Sequence, residues 1–477
     1  MINTLFLPEL REMLAAGDSD GLREFCDALH PARAAEFMEG LSADESWQVL
    51  LSTDQDHRTA IFGFLDHERQ VRIVEEGDRQ LVAELLADMA ADDRVDLLNE
   101  VPPEIVLELM PLLPLEERRE IQRLQSYPEG TAGSVMTTEV TRLPESLTVR
   151  EALEAISRQA EELETVYYNY IVDSENHLRG LLSARQLVTH FRQPDTPISE
   201  LMQRDVVAVK ATDDQETVAR KVANYNFLAI PVVDDDRHLL GIITHDDILD
   251  VLQAEATEDA HRSAAVAPLE DSYLNTPWMI LAWKRGIWLT ILFVTGVATA
   301  LLLRSYADTL EQIVWLIFFI PLIMSSGGNT GNQSATLVIT ALTNGELKLT
   351  DGWKVMRREL VMGLSLGLFL GVLGYICAFG MLFALQASPS EDVAIESVVA
   401  EIVREAPSAV DLLVIPITLI CVILCGTLCG GALPLLFRRM GFDPALMSNP
   451  FVAGIIDICG IAIYMTVAIV MLEQLSL

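Results

Sequence analysis

From about Pro277 onward the chain alternates long apolar runs with short charged loops; before that point its apolar residues are spaced as in soluble helices and strands. The runs are Gly286–Leu303, Ile313–Leu342, Leu360–Leu385, Leu412–Phe437 and Phe451–Leu472. Each can cross a hydrocarbon core of roughly 30 Å, which takes about 20 helical residues. Five membrane spans are predicted.

The first 125 residues carry a weak repeat of about 24 residues. "AEFMEGLSADESWQVL" starts at Ala35, "AIFGFLDHERQVRIV" at Ala60, "AELLADMAADDRVDLL" at Ala83 and "LELMPLLPLEERREI" at Leu107. Each copy holds an apolar helix, an acidic turn and the start of a second helix, the pattern of stacked helical hairpins that cover one another's apolar faces. After "SYPEGTAGSVM" the pattern changes. Asn169–Asp173 and Ala229–Asp234 are strand-like, each is followed by a turn and a second strand (His177–Leu182, His238–Thr244), and each is preceded by an amphipathic helix. Two copies of one α/β unit, Gly133–His190 and Ile198–Leu252, are expected.

Charge orients the membrane half. Lys284 and Arg285 precede the first span, Lys348, Lys354, Arg357 and Arg358 lie between the second and third, and Arg438 and Arg439 follow the fourth. The loop between the third and fourth is acidic instead (Glu391, Asp392, Glu396, Glu401, Glu405). The positive-inside rule places the N-terminal half in the cytoplasm and the C-terminus outside, in an inner (plasma) membrane. No basic segment followed by an apolar stretch opens the chain, so no signal peptide is expected. The net charge is −36, of which only −4 falls after Pro277. A cytoplasmic region this acidic attracts cations, although a salt-adapted proteome would give the same excess.

Two features of the spans point to ion chemistry. In "PLIMSSGGNTGNQSAT", Ser325 to Ser334 are all small or polar. Gly327, Gly328 and Gly331 allow close helix approach, and Asn329, Asn332 and Gln333 offer amide oxygens to a path. The fifth span holds one ionisable residue, Asp457, and a lone carboxylate in an apolar helix marks an ion or proton path. On the cytoplasmic side Asp246, Asp247, Asp250, Glu255, Glu258 and Asp259 crowd one helical run; hard divalent ions would neutralise them, while a solvated acidic face is the plain alternative. Cys421, Cys425 and Cys429 recur on one helix face, as a soft metal site or as small packing residues; no CxxC occurs and nothing suggests disulfides.

The openings "GSVMTTEV" and "ISELMQRDVVAV" and the closings "YIVD…LRGLLS" and "IPVVD…LLGIITHDD" resemble a tandem pair of CBS domains. That resemblance implies a regulatory module able to bind an adenine nucleotide such as ATP. The second block has the S/T-x-x-D pair, Thr244 and Asp247, that can hold a ribose or simply cap the next helix; the first has Ser183 but Gln186. "GGNTGNQSAT", "GFDPALMSNPFVAGIIDICG" and "AEATEDAH", in this order of domains, closely resemble the MgtE family of magnesium channels over essentially the whole chain.

The resemblance implies a multidomain fold: an all-α helical-repeat N domain (1–130), tandem α/β CBS domains (131–196 and 197–253), a connecting or plug helix (254–276) and a five-helix α transmembrane pore domain (277–477). It implies a homodimer in membrane lipid, with no nucleic-acid partner. Asp457 of both subunits would form the pore's Mg2+ site, with Asn449 and Ala453 lining the path. Asp92, Asp96, Asp247, Asp250, Glu255, Glu258 and Asp259 would bind regulatory Mg2+. Gly454 stands where relatives often have Thr, so no side chain is expected there. Mg2+ dehydrates reluctantly, so one carboxylate per subunit with room for water suits it, and the potassium-type TVGYG is absent. The expected mechanism is a feedback valve in which cytoplasmic Mg2+ closes the pore. The rivals are a coupled secondary transporter for another divalent cation (Co2+, Mn2+) and a non-transporting metal or nucleotide sensor. With neither HExxH nor GxxxxGK[ST], an enzyme is not expected.

Overall fold

The computed structural model describes residues 5–160, 163–269, 273–387, 407–444 and 449–475. The acidic loop from Glu391 to Glu405 lies outside the described residues. The chain divides into two compact units, Met1–Gln253 and Ala254–Leu477.

The first unit opens with ten short helices: α1 (Leu7–Ala16), α2 (Ser19–Ala28), α3 (Pro31–Met38), α4 (Ala43–Leu50), α5 (Gln55–Gly63), α6 (His67–Glu76), α7 (Arg79–Ala87), α8 (Ala91–Glu100), α9 (Pro103–Leu109) and α10 (Leu115–Leu124). From Asp18 to Pro114 the residue preceding each helix recurs every 12 positions. Asp54, Asp66 and Asp78 accept first-turn N–H groups with their side chains, and Ser42 with Glu45 forms a capping box. Replacing such a cap by Ala costs about 1 kcal/mol.

The same 12-residue phase sets the core. Val49–Leu50, Ile61–Phe62, Ile73–Val74, Leu85–Leu86 and Leu97–Leu98 are all buried doublets. Helices α3, α5, α7 and α9 touch in succession, and so do α4, α6, α8 and α10. The stack therefore has two layers, and two helices make one 24-residue repeat.

Two matching three-stranded sheets follow. In the first, β1 (Arg142–Pro144) runs parallel to β2 (Tyr168–Val172), which pairs antiparallel with β3 (Leu178–Ser183). The second repeats this with β4 (Val209–Lys210), β5 (Ala229–Val233) and β6 (Leu239–Thr244). The helices before the central strands are α11 (Val149–Gln159) and α14 (Gln215–Tyr225); α12 (Ala184–Thr189) and α13 (Ile198–Leu201) connect the copies. The copies meet about a local two-fold relation: His177 pairs with His238, and the Thr137 amide donates to the Ile242 carbonyl at 2.9 Å. The apolar core of the helical stack runs on into the second copy through Val209, Ile230, Ile243 and Ile248. Helix α15 (His245–Ser263) leaves β6 without a break.

The second unit holds five helices long and apolar enough to span a bilayer. They are α16 (Trp278–Arg304), a short 3-10 turn running into α18 (Ile320–Thr343), α19 (Gly352–Ala387), α20 (Val414–Arg439) and α21 (Asn449–Leu475), with a short α17 (Ala307–Gln312) after the first. Two begin eight residues before the predicted apolar runs, because hydropathy marks only the core and each helix continues through a charged turn: Lys284–Arg285 in α16 and Arg357–Glu359 in α19. Helix α20 packs on α18, α19 and α21, and α16 contacts α21. The approach of α18 to α20 is backbone to backbone. A Cβ on Gly426 would stand 2.8 Å from the Gly327 carbonyl oxygen, and one on Gly430 would stand 2.3 Å from that of Gly331. Two small-xxx-small faces thus meet. Arg438 donates to the Leu342 carbonyl at 2.6 Å, so the basic end of α20 lies against the end of α18 that leads into the Lys348–Arg358 segment.

Candidate ion sites

Asn449, Ala453 and Asp457 lie four residues apart on α21, so one face presents all three. That face meets α18. A Cβ on Gly328 would stand 3.6 Å from Ala453 Cβ and 3.8 Å from an Asp457 carboxylate oxygen. About two turns further along α18, the Thr336 hydroxyl donates to the Asn449 side-chain oxygen at 3.1 Å. Among the described residues no ion pair reaches Asp457. An added methyl at Gly328 would thus meet both residues at ordinary van der Waals distance, which places the carboxylate directly beside α18.

The amides of α18 divide. Asn329 is exposed and donates to Ser325 Oγ at 3.3 Å, Gln333 is exposed, and the Asn332 side-chain oxygen is buried with no partner. An unpaired buried acceptor is costly by about 1–3 kcal/mol and marks a place for a donor or cation. Gly454 faces α16: a Cβ there would stand 2.9 Å from Thr295 Oγ1. The space a threonine would use is already held by Thr295.

The third membrane helix, α19, carries a buried carboxylate that the hydropathy reading left outside the span. Glu359 is buried inside α19, where its Oε2 accepts from Ser334 Oγ of α18 at 2.7 Å. Thr427 Oγ1 of α20 donates to its main-chain carbonyl at 3.1 Å. Three helices meet at this residue. Arg357, Arg358 and Glu359 together lower local hydropathy, so the predicted span began one residue later, at Leu360.

In the first unit the N-domain carboxylates of α8 come against the second CBS copy. Asp92 is buried, and its Oδ1 has neither solvent nor hydrogen-bond partner. Burial first, then the charges of Asp247, Asp93 and Glu164, push its pKa well above the ordinary carboxylate range. Burial, Asp247, Asp246 and Asp250 raise Asp93. Burial and Asp93 push Asp96 up to about 6, with His67 opposing. Burial, Asp247 and Glu139 take Glu164 to about 7, and burial with Glu120 takes Glu139 to about 7.

The structure thus unites the predicted Asp92, Asp96, Asp247 and Asp250 with Asp93, Glu139, Glu164 and Asp246. Glu139 and Glu164 come from two loops of the first α/β copy, joined by the Glu164 amide donating to the Glu139 carbonyl at 3.1 Å. Asp93 could have been read from "AADDRVDLL"; nothing local signals Glu139 or Glu164. Arg94, fully buried and 3.0 Å from Glu120, is a nearby counter-charge. These carboxylates raise one another's pKa, but among the described residues the one group of three potential metal ligands with atoms within 4.8 Å of one another is Asp27, Asp54 and His57.

Asp247 also has a structural duty. Its Oδ2 accepts from both the hydroxyl and the amide of Thr244, capping α15. Ser183 and Gln186 form the equivalent capping box in the first copy. Further along α15, Glu258 pairs with Arg262, which also pairs with Asp443 in the segment before α21. Glu255 and Asp259 lie on the same stretch of helix.

Comparison with known proteins agrees with this layout. Residues 320–467 match the profile of the MgtE divalent cation transporter domain, 29–130 that of the MgtE intracellular N domain, and 132–192 and 198–254 those of CBS domains. The chain is 36% identical over 467 residues to the magnesium transporter MgtE of Thermus thermophilus, covering 97% of this chain and 98% of that one. It is 35% identical over 353 residues to MgtE of Enterococcus faecalis, covering 74% and 72%. Among solved structures it is similar to the soluble part of a magnesium transporter (37% identity, 52% of this chain and 97% of that one, TM-score 0.49). It is also similar to the cytosolic domain of the Mg2+ channel MgtE in complex with ATP (35% identity, 51% and 98%, TM-score 0.48). With a full-length relative at this identity, and with matches to the N-domain, CBS and transporter profiles, the chain belongs to the MgtE family of divalent cation transporters.

Proposed function

We propose that this multi-pass membrane protein admits Mg2+ along a path lined by Asn449, Ala453 and Asp457, and that Mg2+ bound to its acidic cytoplasmic region closes the path. The observation that carries the reading is Asp457, a carboxylate without an ion-pair partner among the described residues, held against Gly328 on the face it shares with Asn449 and Ala453. A side-chain amide, a small residue that uncovers backbone and one carboxylate suit an ion that keeps most of its water. The amides of Asn329, Asn332 and Gln333 would extend the polar lining. A homodimer supplies two Asp457 carboxylates to one pore. The cytoplasmic face is the one bearing the Lys and Arg of the loops, and the C-terminus lies outside.

The regulatory arm rests on the buried Asp92 and the more exposed carboxylates that face it. Asp92, Asp96, Asp247 and Asp250, with Glu255, Glu258 and Asp259 along α15, would hold Mg2+ when its concentration is high. Each bound ion shifts the closed–open balance by its differential affinity for the two states, and several sites make the response steep. An adenine nucleotide such as ATP would sit at the CBS pair. There its ribose would compete for Thr244 and Asp247, which already bond to each other.

The test is Mg2+ flux into proteoliposomes, with Mg2+ varied on the cytoplasmic face. Wild-type protein should carry Mg2+ and be inhibited by it. A variant neutralised at Asp92, Asp247 and Asp250 should carry Mg2+ without inhibition. Absence of wild-type flux sinks the transport reading; intact inhibition in the neutralised variant sinks the regulatory one.

A further inference from the structure

The first turns of α19 carry cations that the proposed ion path does not use. Lys354, Arg357 and Arg358 line one open cavity of about 440 Å³ with Val361, Met362 and Ser365. The six recur at steps of three and four residues, so they form one stripe of the helix about 16 Å long, charged at one end and mostly apolar at the other. Val361 and Met362 are exposed, as are Leu364 and Leu368 beyond them. Ser365 donates its hydroxyl to the Val361 carbonyl at 2.8 Å, a bond kept within the helix.

The protein's own anions leave most of this charge unanswered. Asp351 pairs with Lys354 at 2.7 Å. Glu359, next in sequence to Arg358, turns inward to Ser334 of α18. Among the described residues neither the Arg357 nor the Arg358 side chain has an ion-pair or hydrogen-bond partner. Lys284 and Arg438, by contrast, donate to the Pro268 and Leu342 carbonyls. Membrane topology requires charge on one side of the bilayer, but not a cavity with apolar walls. Cations at one end and apolar surface at the other match an anionic phospholipid: two guanidinium forks face its phosphate, and Val361 and Met362 face its chains. Trp353, 80% exposed beside Lys354, is the residue type that settles at the headgroup layer and marks this turn as lying there.

We propose that Lys354, Arg357 and Arg358 hold the phosphate of an anionic phospholipid whose chains lie along Val361 and Met362. The test is native mass spectrometry of the full-length protein in detergent, titrated with phosphatidylglycerol or phosphatidylcholine and read as lipid retained per chain. Wild-type protein should retain phosphatidylglycerol in preference to phosphatidylcholine. A basic residue near anionic lipid is worth about fivefold in binding, so Arg357→Gln/Arg358→Gln should lower the affinity for phosphatidylglycerol about 30-fold. Arg285→Gln, on another helix and outside the cavity, should leave it unchanged. If the Gln variant does not fold, Arg357→Lys/Arg358→Lys decides the matter. It keeps the charge that topology counts, loses both planar forks and should lower the affinity about threefold. Excess glycerol phosphate, which has a charged phosphate but no chains, should not displace the lipid. No retained phosphatidylglycerol, as a second chain seated on this face would give, would overturn the proposal. So would equal retention of phosphatidylcholine, unchanged affinity in the arginine variants, equal loss from Arg285→Gln, or displacement by glycerol phosphate.

Discussion

The two units place carboxylates in opposite ways. In the first, eight acidic residues from the N domain and both CBS copies crowd one region, and burial drives several toward neutrality. In the second, Asp457 stands apart, with a glycine opposite and an amide two turns away. A sensor must hold its ion and change state when it leaves, so shared ligands and mutual repulsion serve it. A path must release what it binds, so one ligand per chain with room for water serves it better. On the proposed reading the difference is in how many carboxylates would share an ion, not in the chemistry of the ligand.

The largest expected effect breaks the comparison at the second unit. Asp457→Asn should lower Mg2+ flux by about 100-fold or more, equal to about 2.7 kcal/mol. Asp92→Asn should leave maximal flux unaltered and remove inhibition by Mg2+. Wild-type flux in Asp457→Asn would show that the two places do not differ as argued.

The second effect is a reversal of sign. Asp92 is a buried carboxylate with an unpartnered oxygen, so without Mg2+ it opposes the packing it sits in. Asp92→Asn removes the disfavoured buried charge and should stabilise the full chain in metal-free buffer. In saturating Mg2+ the same change should destabilise it, since a ligand is lost. Thermal unfolding with and without Mg2+ reads both arms. A change of the same sign under both conditions would remove Asp92 from the cation's ligands.

How far these sites were legible in the sequence follows from their physics. The helical stack announces itself because doublets such as Ile61–Phe62 and Ile73–Val74 repeat in one phase along the chain. Asp457 is legible because it is alone in an apolar run. Glu139 and Glu164 are not, since two turns far apart in sequence acquire meaning only where α8 packs near them. Strands β1 and β4 escape because three and two residues are too few to show alternation. Glu359 escapes because neighbouring arginines end the apolar run where the helix does not end.

Glu359 sharpens the comparison within the membrane. It is buried like Asp92, but its carboxylate accepts from a neutral hydroxyl on a neighbouring helix, which marks a packing role. Glu359→Gln keeps an acceptor for Ser334 and should preserve Mg2+ flux, in contrast to Asp457→Asn. Glu359→Leu leaves the Ser334 hydroxyl unpaired and should cost about 1–3 kcal/mol, read as a lower unfolding temperature in detergent. Loss of flux in Glu359→Gln at unchanged stability would make it a second ion ligand.

The smallest effect concerns protons in the first unit, away from the acidic group. His177 and His238 stack across the CBS copies with ring centroids 4.3 Å apart. His238 Nδ1 lies 2.8 Å from Asp234, and His177 Nδ1 lies 3.1 Å from Asp173. The Asp234 hydrogen bond, aided by the charges of Asp234, Asp236 and Asp173, raises the His238 pKa above its ordinary 6.5. A raised folded-state value means protonation favours the folded form. That contribution is complete below about 6.5 and is lost as pH rises through the shifted value. A ring-proton NMR titration should therefore find His238 above 6.5 in the wild type and lower in Asp234→Asn. Added Mg2+ should not move it, because the histidine pair draws its charge balance from its own aspartates. A Mg2+-dependent shift at His238 would instead mean that the cation's influence extends across the CBS pair.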